Sequence, residues 1–172
     1  MKGMKEGKGA DIFKSGDSYN GNYKNGVPCG EGVYIWKSGA IYEGEFWQGM
    51  KHGKGQWRKN KDQPNCNRYE GEYYMDKKHG YGEFSWSAGN LYKGQFRQDE
   101  RDGYGEMYFE DGTVYKGEWS RGIQCGRGKI IKKDGTVHEG NFQNNIFHPV
   151  EEERVRKSSK ASNRKSGDNS HG

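Results

Sequence analysis

The chain has 172 residues, of which 29% are hydrophobic and 31% charged, and its mean hydropathy is −1.32. These values alone indicate disorder, but 14% of the residues are aromatic and 29 are glycine, against 3 prolines. So few aliphatic residues exclude a β-sandwich, a helix bundle or a Rossmann domain, because each buries a large aliphatic core.

Residues 151–172 hold six Lys/Arg and four Asp/Glu, which leaves 23 and 20 in residues 1–150. This nearly neutral body does not indicate nucleic-acid binding.

The chain shows no targeting or spanning segment. It has no run of about 18 apolar residues, and its polar N-terminus lacks the apolar segment of a signal peptide. The chain has three cysteines, an odd number that cannot all pair in disulfides, and their spacing is not that of metal ligands. They are Cys29, Cys66 and Cys125. We therefore expect a reducing, cytoplasmic compartment.

A period of 23 residues organises the chain. Glycine follows the first tyrosine of each unit by two residues, an aromatic residue follows it by four, and a Gly-x-Gly pair comes later in the unit. Of the 29 glycines, 27 fit this template, so the repeat and not low complexity accounts for the glycine content. One step is 27 residues long, and histidine takes the sixth place. The starting positions are Tyr19, Tyr42, Tyr69, Tyr92, Tyr115 and His138.

The spacing within a unit predicts β-hairpins. Tyr19, Gly21 and Tyr23 are separated by steps of two, so they share one face of a strand, and polar residues fill the alternate positions. Each unit is therefore a hairpin with one face of aromatic residues and glycine and one solvated face. Glycine weakens a strand unless something covers it, and we expect an aromatic ring of a neighbouring strand to lie there.

This pattern resembles the MORN repeat, most clearly in YEGEFWQGMKHGKGQW at residues 42–57. The resemblance implies an all-β fold: an elongated, single-layer, twisted antiparallel sheet of consecutive β-hairpins. Residues 1–149 would form five full units with a half unit at each end, about twelve strands, and residues 150–172 a disordered basic tail. Asp76 and Asp99 replace the glycine in the middle of their units, so we expect those turns to differ.

Two segments depart from the template. Residues 60–68 contain the four-residue expansion and predict a longer loop at one edge of the sheet, either a tolerated variation or a partner contact. Residues 154–165 hold six basic and no acidic residues. They predict a solvated tail, with a short basic helix on a partner as the alternative.

No catalytic or metal site emerges from the spacing. His52, His79 and His148 occupy equivalent repeat positions, and so do Cys29 and Cys125. Equivalent positions in adjacent units would lie about 10 Å apart, too far for one metal ion. We expect no enzyme activity, no cofactor and no metal.

The aromatic face is the predicted binding surface, because a single-layer sheet cannot bury it against a second layer. A partner helix or extended peptide along a groove on this face is the natural ligand. The alternative is that each ring only stacks on its own sheet. Residues 7–13 and 138–142 would be unpaired edge strands that allow end-to-end docking of another MORN protein. The candidate groove residues are Tyr23, Trp36, Phe46, Trp57, Tyr73, Trp86, Phe96, Phe109 and Trp119.

Within the family, the chain is similar to the MORN proteins of radial spoke heads. That similarity implies a non-catalytic scaffold protein in a multi-subunit cytoskeletal assembly, in the cytoplasm and the ciliary or flagellar axoneme. The alternative function is a membrane-surface adaptor linked to phosphoinositides. A membrane is the less favoured partner, since only the tail is basic and no lipidation motif is present.

Overall fold

The computed structural model describes residues 3–150, which form one antiparallel sheet of thirteen strands paired in chain order. The predicted all-β, single-layer architecture is confirmed, with one strand more than expected. No helix among the described residues is long and apolar enough to cross a membrane. The predicted tail lies outside these residues, except for Val150. The strands are β1 Gly7–Ile12, β2 Ser18–Lys24, β3 Val27–Ile35, β4 Ile41–Trp47, β5 Met50–Arg58, β6 Arg68–Tyr74, β7 Lys77–Ser85, β8 Leu91–Arg97, β9 Glu100–Tyr108, β10 Val114–Ser120, β11 Ile123–Ile131, β12 Val137–Gln143 and β13 Ile146–Pro149.

A tyrosine ring lies over a pair of glycines in each of the five full units. In the second unit, Gly44 and Gly55 face each other across β4 and β5, and the hydroxyl of Tyr42 donates to the carbonyl of Glu45 at 2.9 Å. A Cβ added to Gly55 would lie 2.5 Å from Cζ of Tyr42, inside the ring's van der Waals surface. The expected covering of glycine by an aromatic ring is therefore confirmed, and it makes glycine obligatory at this position.

The core is a continuous row of such rings on one face of the sheet. The rings of Tyr42 and Phe46 meet edge to face at 5.1 Å, Phe46 meets Tyr19 at 5.1 Å, and Tyr42 meets Tyr73 at 5.2 Å. T-shaped contacts at this distance are favourable, so each ring stabilises both its own unit and the next. The buried rings are Tyr19, Tyr23, Tyr42, Phe46, Tyr69, Tyr73, Tyr92, Phe96, Tyr115, Trp119 and Phe142.

The turns at Asp76 and Asp99 do not differ from the others, so that prediction was wrong. Their φ angles are 70° and 73°, close to the 79° of Gly26 and Gly49 and the 80° of Gly122. Aspartate tolerates this left-handed conformation, as asparagine does.

These aspartates add a bond that glycine cannot make. Asp99 N–H donates to the carbonyl of Lys78 at 3.0 Å, and its Oδ1 accepts from Lys78 N–H at 2.9 Å and lies 3.2 Å from Lys78 Nζ. Burial alone would raise the pKa of Asp99, but the hydrogen bonds and charge of Lys78 outweigh it and lower that pKa. Each turn is thus tied to the preceding unit.

The C-terminal end of the sheet also corrects a prediction. Residues 138–142 are not unpaired, because Ile146–Pro149 returns as β13 beside β12. Asn144 and Asn145 provide the two positive φ angles (50° and 65°) that other units obtain partly from glycine. The ring of Phe147 covers Gly140 where His138 replaces the usual tyrosine. The sheet edges are therefore β1 and β13.

The expanded loop is anchored to the loop before it. β5 ends at Arg58 and β6 begins at Arg68, so the loop spans residues 59–67, one residue earlier than the predicted 60–68. Lys61 N–H donates to the carbonyl of Gly39 at 2.9 Å, and the buried thiol of Cys66 donates to the carbonyl of Asn60 at 3.2 Å. The first bond ties the expansion to the preceding loop, and the second closes the expansion on itself.

The ring-on-glycine contact predicts unequal costs for two alanine substitutions. Gly55→Ala forces a methyl group into the Tyr42 ring, and we expect a loss of about 3 kcal/mol of unfolding free energy. Gly49→Ala is the control, because its φ of 79° is strained for alanine but nothing lies within 4 Å of the added methyl. It should cost about 1 kcal/mol. Urea unfolding measures both, and equal losses would contradict the ring contact.

The lowered pKa of Asp99 predicts a pH-dependent contribution to stability. It is complete above the carboxyl's unfolded pKa of about 3.9 and is lost as the pH falls through the lower folded value. Asp99→Asn keeps the turn, as Asn145 does, but should cost under about 1 kcal/mol at pH 7, since the ion pair is partly exposed. This difference from the wild type should disappear in acid. Thermal unfolding across pH measures it, with Asp62→Asn in the exposed loop as the control, and a difference that persists in acid would refute the assignment.

Candidate protein-binding surface

A second row of aromatic side chains lies beside the buried rings. These side chains are half-buried and come from the ends of β3, β5, β7 and β9 or the residues just after them. Tyr34 and Trp36 are 4.7 Å apart between ring centroids, and Phe84 and Trp86 are 4.6 Å apart. We call the surface formed by the two rows the aromatic face. The second row consists of Tyr34, Trp36, Trp57, Phe84, Trp86 and Phe109.

The nine predicted groove residues fall into two groups. Five of them belong to the buried row and expose only 5–6% of their surface, so a partner cannot use them as anchors unless the row opens. They are Tyr23, Phe46, Tyr73, Phe96 and Trp119. The other four, Trp36, Trp57, Trp86 and Phe109, are partly exposed on the second row and form the accessible part of the predicted surface.

Three basic side chains cover part of the aromatic face, and the sequence analysis missed them. The ammonium of Lys51 lies 5.6 Å from the ring centroid of Trp36, and that of Lys78 lies 5.8 Å from Phe84. The guanidinium of Arg101 lies 4.3 Å from the centroid of Trp119. The available signal was positional, since each basic residue stands two residues before a Gly-x-Gly pair. The face is therefore cationic as well as aromatic.

The three cations differ in their partners. Lys51 and Lys78 pair with the turn aspartates of the next unit, at 3.3 Å for Asp76 and 3.2 Å for Asp99. The equivalent turn residue beyond Arg101 is Gly122, and Arg101 donates to its carbonyl at 2.9 Å instead. Burial lowers the pKa of Arg101, which still leaves a guanidinium charged. Among residues 3–150, no carboxylate lies within 4.0 Å of this group.

The opposite surface, which we call the polar face, carries the side chains at alternate positions. Each of the five full units bulges at the residue after its first glycine. In two of them the bulge side chain caps a backbone group: Glu45 Oε1 accepts from Lys54 N–H at 2.9 Å and Glu72 Oε1 from Tyr81 N–H at 3.1 Å. A concavity of about 900 Å³ lies on this face. The groove expected on the aromatic face is smaller, about 260 Å³, between Phe84, Trp86 and Arg101.

The histidines and cysteines are dispersed. Among residues 3–150, no group of three or more His, Cys, Asp or Glu side chains could hold a metal ion. His52 and His79 flank the ring of Tyr74 at 5.2 and 5.7 Å. Burial raises the pKa of the Cys125 thiol, which disfavours its reactive thiolate form.

The comparison with protein-family models agrees with this repeat architecture. The family model described as "MORN repeat" matches residues 19–41, 42–61, 69–91, 92–114 and 115–137. No curated protein matches the chain. One solved structure found by comparison is the SAS-4 (dCPAP) TCP domain in complex with a proline-rich motif of Ana2 (dSTIL) of Drosophila melanogaster. It has 12% identity and a TM-score of 0.45 over 74% of this chain and 67% of that chain. With five matched repeats over most of its length, the chain belongs to the MORN-repeat family.

Proposed function

We propose that this protein is a non-catalytic scaffold subunit of a large cytoskeletal assembly, the radial spoke head of a ciliary axoneme. MORN repeats are typical of protein-binding or membrane-associated repeat proteins. The observation that carries the proposal is the partly exposed aromatic row on a single-layer sheet, at Trp36, Trp57, Trp86 and Phe109. Aromatic side chains of this kind are enriched at the energetic centres of protein interfaces.

The architecture suits a spacer between other subunits. Twelve strand-to-strand steps of about 4.8 Å make a sheet roughly 58 Å long. Each unit contacts only its neighbours in sequence, as in other repeat proteins that present extended binding surfaces. Such a sheet holds several partners at fixed spacing without any catalytic chemistry.

The open edge at β1 provides a second contact. Its outward backbone groups have no strand beside them among the described residues, and Ile12, the last residue of this strand, exposes 86% of its surface. β13 is shorter and ends at Pro149, which has no backbone N–H to donate. End-to-end docking of another MORN protein is therefore proposed at β1.

A membrane-surface adaptor is the second candidate. The specific observation that favours it is the row of Lys51, Lys78 and Arg101 among aromatic rings, since basic and aromatic side chains together suit an anionic membrane surface. Two of these three cations are paired with aspartates of the protein, which weakens their attraction for lipid.

Extraction from ciliated cells tests the assignment directly. The tagged protein should remain with detergent-resistant axonemes after nonionic detergent and leave only in high salt or chaotrope, together with its neighbouring subunits. A tubulin-binding axonemal protein and a membrane protein serve as markers of the two fractions. Release by detergent alone would refute the axonemal assignment and favour the membrane adaptor.

Substitution of the exposed tryptophans tests the aromatic face. Trp57→Ala with Trp86→Ala should reduce recovery of co-released subunits at least about ten-fold, the loss expected when interface anchors are removed. The matched control is Trp47→Ala, since Trp47 is exposed outside the aromatic face. Far-UV circular dichroism confirms that the sheet persists. Undiminished recovery with the double variant would place the interface elsewhere, at β1 or the loop at residues 59–67.

A further inference from the structure

The polar face is divided into an acidic and a basic part. The concavity of about 900 Å³ extends over β1 to β7, and its lining includes two lysines and five glutamates. A second concavity, of about 390 Å³, lies over β9 to β12 and is lined by Lys116, Arg127 and Lys129 with Glu139. The glutamates of the first concavity are Glu31, Glu43, Glu70, Glu72 and Glu83.

The acidic part contains carboxylates that oppose each other. Glu31 is directly opposite Glu45 in the β3–β4 register, and Glu70 is directly opposite Glu83 in the β6–β7 register. Like charges in such pairs destabilise a sheet. Within residues 3–150, neither Glu31 nor Glu70 has a Lys or Arg nitrogen within 4.0 Å, whereas Glu83 pairs with Lys93 at 3.1 Å. A cationic segment from outside the described residues would relieve this repulsion.

The chain leaves the sheet on this face. Val150 lines the second concavity, at the basic end of the polar face. The next residues are Glu151, Glu152 and Glu153, and the following twelve, 154–165, hold six basic and no acidic residues. The order of charges along the chain therefore complements the order of charges along the face.

We propose that residues 151–165 of this chain dock along the polar face and run back toward β3. The three glutamates lie at Lys116, Arg127 and Lys129, and the basic residues extend over the glutamates of the first concavity. This contact is independent of the proposed function, because it uses the face opposite the aromatic row. It gives the chain an internal partner that covers one face and leaves the other for subunits.

The length of the segment fits this path. At about 4.8 Å per strand, β7 lies roughly 29 Å and β3 roughly 48 Å from β13. An extended chain advances about 3.3 Å per residue, so Lys160 reaches about 33 Å and Lys165 about 50 Å from Val150. Lys160 therefore reaches the level of Glu70, and Lys165 the level of Glu31.

Two exposed tyrosines lie along the same path. Tyr104 exposes 57% of its surface and Tyr81 48%, and they line the second and first concavities respectively. At about 3.3 Å per residue Arg156 reaches about 20 Å from Val150, the level of Tyr104 on β9 at roughly 19 Å from β13. Its guanidinium can therefore stack on the Tyr104 ring, because guanidinium groups favour aromatic faces.

Carbodiimide cross-linking of the full-length protein tests the contact, because it joins a lysine amine to a carboxylate that it touches. We expect links from Lys157, Lys160 or Lys165 to Glu70 or Glu83, at least about five-fold above links to two exposed controls, Asp62 in the loop after β5 and Glu100 at the start of β9. Mass spectrometry of an equal mixture of isotopically light and heavy protein separates links within a chain from links between chains. The links should fall sharply at about 0.5 M NaCl, because salt screens exposed charges.

A charge swap makes the test specific. Lys160→Glu should abolish the Lys160 link, and the combination of Lys160→Glu with Glu70→Lys should restore a link between the same two positions. Circular dichroism shows that each variant keeps its sheet. Equal linking to Asp62 and Glu100, links only between chains, or no recovery in the swapped variant would each overturn the proposal.

Discussion

The close approach of a tyrosine ring to two glycines is the contact on which the rest of the structure depends. The Tyr42 ring lies where side chains at Gly44 and Gly55 would otherwise stand, and its hydroxyl satisfies the carbonyl of the bulge residue Glu45. The Tyr42 ring thus covers the glycines as a second layer of the fold would. Its hydroxyl gives the bulge carbonyl a hydrogen-bond donor. Because the phenol supplies both, phenylalanine at this position would leave a carbonyl without its donor.

This contact explains how a chain with so few aliphatic residues folds. Each contact between two buried rings lies within one unit or joins adjacent units. The core therefore grows with the number of repeats and requires no contact between units that are distant in sequence. Such local contacts favour propagation from any folded hairpin. The single layer leaves both faces in contact with solvent, and function can use either without disturbing the core.

The sequence predicted those features that depend on period and parity, namely the hairpins, the buried face and the ring over glycine. It failed where one residue type replaces another with the same backbone conformation: Asp76 and Asp99 adopt the glycine turn, and Asn144 and Asn145 close a hairpin that lacks glycine. The sequence analysis missed β13 because it identified hairpins by their glycines, and the turn before β13 has asparagine instead. The alternation of residues also could not predict which aromatic rings are buried. It places Phe46 and Trp57 on the same face but does not show that Phe46 is covered and Trp57 is partly exposed.

The two faces therefore differ in what their residues are free to do. Rings and glycines of the aromatic face are fixed by contact with one another, whereas the side chains of the polar face make only backbone caps and partly exposed ion pairs, such as Glu45 with Lys54 N–H and Glu83 with Lys93. Charges at those positions can change from unit to unit without cost to the core, and here they are acidic near Glu31 and Glu70 and basic near Arg127 and Lys129. A regular fold thus carries a directional charge pattern, and that direction gives a bound segment one orientation along an otherwise repetitive sheet.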